Sequence, residues 1–363
     1  MRNPLKLIKN KLSGFRAARQ TIKAEGLGSK VLWDYAYCRR KFKCNLEEYM
    51  GYQFYNYKNR YRKNFIVSAH RNQFVKINTR AFTYSKYVFY QYLPDMFQRE
   101  MILAPNCGED AFVDFLKKHK RIVTKPDMGS LGKDVMLLEY TDDAAARAYF
   151  QEVAQNGYTV CEEFIKQHPA LNELNPYSVN TIRVTSLLVD GEVEILTATL
   201  RCGAGKDSIT DNLSKGGIGA QIDVETGIIC AYGKDFTNNR YSHHPISGVQ
   251  IIGMQIPNWE KAVAYVKQAH KRVPQCTLYG WDIAITEDGA DIVEANSKPG
   301  IRNIQQLDGI PRGHKLLPLL KQDPLKGKNE EYYRDWRNRF YQYIDSKWME
   351  EKTAERMAKK AHK

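Results

Sequence analysis

Two carboxylates and a carboxamide stand at alternate positions in a pair of β-type runs. In Gly280-Trp-Asp282-Ile-Ala-Ile-Thr286 the alternation puts Asp282, Ala284 and Thr286 on one face, and in Ile292-Val-Glu294-Ala-Asn296 it pairs Glu294 with Asn296. Asp288-Gly289 between the runs is a hairpin signal, so Asp282 comes to lie opposite or diagonal to Glu294 and Asn296. Converging carboxylates repel unless a cation separates them, and a few hard oxygen donors suit Mg²⁺ that shares its shell with substrate phosphates. The alternative is three polar side chains on a solvated face. Ile283, Ile285 and Val293 argue for a buried opposite face, which favours the cation reading.

The complementary feature is Lys125-Pro-Asp-Met-Gly129-Ser130-Leu-Gly132-Lys133, a lysine at a strand end beside a turn with two glycines and a serine. Such a turn offers backbone N–H groups and a cation to an oxyanion. It is not a Walker A loop, because Asp127 stands where that spacing needs glycine. Gly203-Ala-Gly205 lacks the third glycine of a dinucleotide fingerprint and is rejected, and His243-His244 has no third histidine at ligand spacing. Arg183 lies within the β-type run Thr181–Val189, where an arginine usually has a carboxylate or phosphate partner. Asp211-Asn-Leu-Ser-Lys-Gly-Gly217 is a polar, glycine-rich loop suited to a substrate lid over 211–219.

The elements that position these residues alternate from residue 120 onward. Arg121–Lys125, Val135–Leu138 and Tyr158–Ile165 read as strands, and Thr141 with Asp142 and Asp143 reads as the cap and acidic first turn of a helix closed by Gly157. Thr181–Val189 and Val193–Leu200 flank Asp190-Gly191, a second hairpin signal, and Trp259–Val273 is helical in pattern. Leu5, Ile8, Leu12 and Phe15 recur at helical spacing among lysines and arginines, and Arg39-Arg40-Lys41-Phe42-Lys43 precedes a tyrosine-rich stretch. In the tail, Tyr332, Trp336, Phe340 and Tyr343 share a helical face.

Charge is distributed unevenly over the 363 residues: residues 1–75 hold 17 Lys/Arg against 4 Asp/Glu, whereas 76–322 hold 27 against 29. A near-neutral body with a basic end points to an anionic partner at that end. The helical basic segment suits anionic lipid head groups, or it packs on its own protein with its lysines solvated. With 43% hydrophobic residues the chain is globular, and no apolar stretch is long enough for a membrane-spanning helix. The N-terminus lacks a secretory h-region, and seven scattered cysteines with no C-x-x-C pair read as reduced thiols, so the expected location is the cytoplasm.

In order, K-P-x-x-G-S-x-G, E-E-F-I, S-V-N-T-I-R-V, S-K-G-G and W-D-I-A-I-T-E-D-G-x-x-I-V-E-A-N-x-K-P-G resemble the ATP-grasp superfamily, and within it the sugar-transfer-associated branch linked to bacterial surface polysaccharides. The resemblance covers roughly residues 80–320. It implies an α+β ATP-grasp fold with two subdomains enclosing ATP, a basic helical N-terminal extension and a C-terminal helix, divided as 1–79, 80–162, 163–322 and 323–363. It further implies that Lys125, the looser match Lys86, and Gly129, Ser130 and Gly132 hold phosphates. Glu162, Glu163, Phe164 and Ile165 would lie under the adenine, and Asp282, Glu294 and Asn296 would hold two Mg²⁺ ions. Asn212, Ser214, Lys215, Lys298 and Arg302 would meet substrate. One departure is Gly280, two residues before Asp282, where some relatives carry an arginine that steadies an acyl phosphate; Arg183 or Arg201 would have to replace it.

The expected activity is ATP-dependent ligation of a carboxylate to an amine through an acyl phosphate, on an amino acid and a carboxylated sugar. The partners are ATP, both co-substrates, and an anionic membrane surface or lipid-linked sugar, which would place the protein peripherally at the inner face of the plasma membrane. Two other readings are a kinase of a sugar hydroxyl and a basic nucleic-acid-binding protein. The second gives a metal hairpin no use.

Overall fold

Period-two alternation fixes the larger of two sheets. In the computed structural model, which describes residues 4–70, 85–128, 134–205, 211, 216–235, 237, 239–274, 276–297, 299–300, 305–307 and 309–321, contacts divide the chain into two units. One takes the first 76 residues together with 300–323, and the other holds 77–299. The expected C-terminal helix lies outside the described residues.

The first unit is helical: α1 (Pro4–Ala24), α2 (Ser29–Phe42), α3 (Leu46–Gly51) and α4 (Asn59–Arg62). Its core is aromatic, with Tyr35, Tyr49, Tyr52, Phe54 and Phe65 buried around Cys38, so much of the tyrosine richness of this region is packing. Asn45 and Glu48 form a reciprocal capping box on α3. Buried Arg62 donates through Nη1 and Nη2 to the two oxygens of Asp34, each at 2.8 Å, and through Nε to the Phe54 carbonyl. Residues 305–307 and 309–313 belong with this unit by their hydrogen bonds. Gln305 is buried, its side-chain oxygen accepts from Ile66 N, and its nitrogen donates to Ile66 O; Gly313 N donates to Asn64 O at 2.7 Å. Those bonds tie the segment after Pro299 to the N-terminal helices.

The second unit carries α5 (Lys86–Tyr92), β1 (Met101–Ala104), α6 (Glu109–His119), β2 (Arg121–Pro126), β3 (Met136–Glu139), α7 (Asp143–Gln155) and β4 (Thr159–Glu163). The four strands form an antiparallel sheet in the order β1-β4-β2-β3, with Phe112, Leu116 and Phe150 of α6 and α7 packed on Ile122, Leu138 and Cys161. Asp142, not Thr141, caps α7, its side chain accepting from Ala145 N. Next come α8 (Pro169–Leu174), β5 (Thr181–Val189), β6 (Glu192–Cys202), β7 (Ile218–Ile222), β8 (Gly233–Lys234), β9 (Arg240–Tyr241), α9 (Trp259–Lys271), β10 (Leu278–Ile285) and β11 (Ala290–Asn296). Their seven strands form an antiparallel sheet ordered β11-β10-β5-β6-β7-β8-β9.

Asp190 and Gly191 both take positive φ in a two-residue β5–β6 turn, the conformation that matches strand twist. One face of the large sheet, including Ile182, Val184, Trp281 and Ile283, packs in the same core as Trp259, Val266 and Ala269 of α9. The other face carries the polar residues of β5, β10 and β11. Among the described residues no helix is long and apolar enough to cross a membrane.

Candidate active site

Register places the hairpin carboxylates opposite each other. Asp282 of β10 pairs with Glu294 of β11 and Gly280 with Asn296, while on its other side Asp282 pairs with Arg183 of β5. Arg183, Asp282 and Glu294 therefore form a row across three strands, with Asn296 two positions along. Every residue of β10 is buried, so this polar face is closed to solvent there. Two guanidinium groups neutralise Asp282. Arg183 grips both carboxylate oxygens, through Nε and Nη2, and Arg201 donates Nη1 to Oδ1 at 2.9 Å. Arg201 also donates Nη2 to Asp211 at 3.0 Å, and Asp211 accepts from Thr181. Burial pushes the Asp282 carboxyl up, but the two arginines outweigh it and hold it below the usual carboxylate range. For Asp211 burial wins over Arg201, and its carboxyl lies above that range.

Glu294 and Asn296 are half-buried, and the buried amide nitrogen of Asn296 has no hydrogen-bond partner among the described residues. Its carboxamide oxygen is a hard donor on the face of the two carboxylates, so the set fits a small divalent cation that completes its shell with phosphate oxygens. Among the described residues no group of three His, Cys, Asp or Glu could hold a metal ion.

A small cleft, partly open to solvent, is lined by Lys86, Lys125 and Glu294 together with Phe89, Phe97 and Met101. The two lysines and one expected metal ligand thus share a space. Lys86 opens α5 behind the N-cap Ser85; its ammonium donates to the carbonyls of Pro126 at 2.9 Å and Asp127 at 3.1 Å. Burial, then the neighbouring Lys125 charge, hold its pKa below the ordinary lysine value. Lys125 pairs with Glu162 and donates to the Val293 carbonyl at 3.4 Å, which carries it from the small sheet to the strand of Glu294.

Arg99, which belongs to none of the sequence motifs, completes this cluster. It is buried and donates Nε to Glu162 at 2.8 Å, Nη1 to the Ile292 carbonyl at 2.8 Å, and Nη1 also to Asp291. One guanidinium therefore joins β4 to β11. Burial pushes the Glu162 carboxyl up, yet Arg99 and Lys125 together bring it below its ordinary value. The one local signal for Arg99 is an arginine next to a glutamate just before the short apolar run Met101–Ala104.

Other expectations change. β4 is an interior strand in which Glu162 pairs with both Met101 and Val123, and Glu163 N donates to Glu100 O. The main chain available to a base edge is thus the stretch past the strand end, Phe164 and Ile165, not all four residues. Of the stretch 211–219 expected as a lid, Asp211 is anchored by Arg201, and Ile218 and Gly219 belong to β7, where they pair with Cys202 and Arg201 of β6. Gly129, Ser130, Gly132, Asn212, Ser214, Lys215, Lys298 and Arg302 lie outside the described residues. His244 is buried with Nε2 at 2.7 Å from the Gly203 carbonyl, a structural role.

Gly280 has a visible reason. A Cβ there would come within 2.9 Å of Pro299 Cβ, and Arg183 Cδ lies 3.6 Å away. The space that a long side chain at 280 would need holds Pro299 and Arg183.

A small antiparallel sheet bearing Lys125, set against a larger one bearing Asp282, Glu294 and Asn296, is the α+β arrangement of an ATP-grasp protein. A family model described as sugar-transfer associated ATP-grasp matches residues 108–322, more than half of the chain, and the chain belongs to that family. Among solved structures it is similar to the D-alanine–D-alanine ligase of Bacillus anthracis, at 15% identity over 69% of this chain and 70% of that one, with a TM-score of 0.42. It is also similar to the ATP-grasp ligase PsnB in a complex with Mg and ADP (13%, 66% and 58%, TM-score 0.40) and to D-alanyl-alanine synthetase A from Vibrio cholerae (12%, 66% and 64%, TM-score 0.41). No curated protein sequence matches.

Proposed function

We propose that the protein is an ATP- and Mg²⁺-dependent carboxylate–amine ligase. The observation that carries this reading is the single cleft bounded by Lys86, Lys125 and Glu294, with Asp282 directly opposite Glu294. A carboxylate is a poor acylating agent because oxide would have to leave. Transfer of the γ-phosphoryl group of ATP to the carboxylate oxygen makes an acyl phosphate; the amine then attacks the carbonyl carbon, phosphate departs, and the amine loses a proton.

Lys125 and Lys86 bind and orient the phosphates in this reading, and Phe164 and Ile165 offer main-chain groups to the base. Asp282, Glu294 and Asn296 hold Mg²⁺, which when bound neutralises the charge spread over the transferring group. Arg183 and Arg201, which reach the same row from β5 and β6, supply the guanidinium that Gly280 does not. Their charge is held in place by Asp282 and Asp211 until an anionic group arrives. Residues 212–215, with Lys298 and Arg302, are assigned to substrate contact.

In this reading one co-substrate is a carboxylated sugar and the other an amino acid or other amine, in surface-polysaccharide assembly at the inner face of the membrane; the family's description as sugar-transfer associated supports the sugar. The basic N-terminal region is read as the part that meets the anionic surface. A phosphate-release screen of amino acids against uronic acids with Mg²⁺ tests the reaction. A ligase releases ADP and phosphate only when carboxylate and amine are both present; transfer to a lone hydroxyl compound would instead identify a kinase.

A further inference from the structure

We infer that the outward face of α2, extended by the neighbouring turn of α4, is a docking surface for an anionic phospholipid bilayer. The inference rests on the membrane reading above and adds which residues make the contact. Trp33, Tyr37 and Lys41 recur every four residues and so form one stripe of the helix. The aromatic members point to solvent, Trp33 being 69% and Tyr37 40% exposed, while Leu32, Tyr35 and Cys38 on the other face supply the core. Trp33 and Tyr37 meet only the margin of that core, through the rings of Phe15 and Phe42.

Asn59 Nδ2 donates to Tyr37 OH at 3.0 Å and so sets α4 beside the stripe, where Tyr61 is 45% exposed. Two rings carry their own cation: Lys41 Nζ lies 5.4 Å from the Tyr37 ring centre, and the Arg60 guanidinium 4.9 Å from that of Tyr61. Rings with an apolar body and a polar edge settle at head-group depth, and adjacent cations reach phosphates. The charge of the region, 17 Lys/Arg against 4 Asp/Glu over residues 1–75, complements an anionic surface.

Nucleic acid fits less well. Stacking along a strand needs several bare ring faces, whereas Tyr37 and Tyr61 each carry a cation over the ring and Tyr49 and Tyr52 are buried, which leaves Trp33 as the bare ring of the stripe.

The test is flotation of the full chain with vesicles of phosphatidylcholine alone and of an equal mixture with phosphatidylglycerol. The expected result is binding to the mixed vesicles only, with Lys41→Ala/Arg60→Ala and Trp33→Ser/Tyr37→Ser each lowering the bound fraction by about tenfold or more at an unchanged melting temperature. If the native chain floats and both variants float equally well, the stripe is not the contact and the broader membrane reading survives. If the native chain does not float, both fail. If a single-stranded oligonucleotide displaces the vesicles and binds through the same four residues, the occupant is nucleic acid and the inference is overturned.

Discussion

Arg183 and Asp282 are cross-strand partners, and their side chains meet in a two-point ion pair on the buried polar face of the large sheet. Each would be costly to bury alone. Replacing Asp282 by Asn keeps the shape but leaves Arg183 and Arg201 without their shared counter-charge. The expected loss of stability is about 3 kcal/mol or more, read as a fall in the denaturation midpoint. An Arg183→Met/Asp282→Asn double variant should recover part of it. Additive losses would show that the pair contributes little.

Gly280 should tolerate no side chain. Even alanine brings Cβ to 2.9 Å from Pro299 Cβ, so Gly280→Ala must displace the turn after β11, at about 1–3 kcal/mol. Because that turn follows Asn296 directly, turnover should fall more than ATP affinity. An unaltered melting temperature would argue against the contact.

Arg99 links the two sheets through Glu162 and Asp291. Arg99→Met strands both buried carboxylates and is expected to cost about 3–5 kcal/mol. Arg99→Lys keeps the charge but loses the fork that spans β4 and β11, so its loss should be intermediate. Thermal melts of the two variants decide it; a Lys variant as unstable as Met would mean that geometry, not charge, is what counts.

The turns are readable in the sequence because local rules act there, and Asp190-Gly191 fixes the β5–β6 turn by its φ preference. Asp282 and Glu294 come opposite each other through a register shift between Asp282 and Ile283; unbroken alternation would set Asp282 against Val293. The meeting of Lys125 with the strand of Glu294, 168 residues on, is implied by the family resemblance and by no local rule. What is not legible depends on long-range pairing. Arg99 acquires its role only because β1 and β4 are neighbours and β11 lies within reach of its guanidinium, partners 63 and 192 residues away. Gln305 joins the N-terminal helices because its amide matches both main-chain groups of Ile66. No local pattern encodes such matches. The lid reading fails at 218–219 for a related reason: glycines in a polar loop give no hint that the following residues pair with β6.

His270 makes acid sensitivity testable. The buried imidazole has its Nδ1 2.7 Å from Ser186 Oγ, which in turn accepts from Trp281 Nε1, and its Nε2 2.7 Å from the Cys276 carbonyl. Burial pushes its pKa from 6.5 down to about 4, against a smaller opposing effect of the Cys276 carbonyl. A group whose folded pKa is depressed binds fewer protons folded than unfolded. Its stabilisation is therefore full above pH 6.5 and is lost as pH falls toward 4, by roughly 3 kcal/mol. Denaturant melts from pH 7 to 4 should show that decline, and a His270→Gln variant should show a flatter curve from a lower start. The same slope in both would assign the acid sensitivity to other groups.

The two sides of the cleft should separate binding from turnover. Lys125 touches Glu162 and the Val293 carbonyl, and its removal takes a cation from the proposed phosphate site while leaving Glu162 paired with Arg99. Lys125→Ala is therefore expected to weaken ATP binding by about tenfold or more, the worth of one charge-assisted contact, in titration calorimetry. Glu294→Gln keeps the side-chain volume and removes one negative charge from the row facing Asp282. It should hold ATP within a few-fold of the native protein, lose the Mg²⁺ dependence of that binding, and turn over at least a hundredfold more slowly. Full turnover in Glu294→Gln, with native Mg²⁺ response, would remove the cation from this row. A Lys125→Ala chain that still binds ATP normally would place the phosphates elsewhere in the cleft.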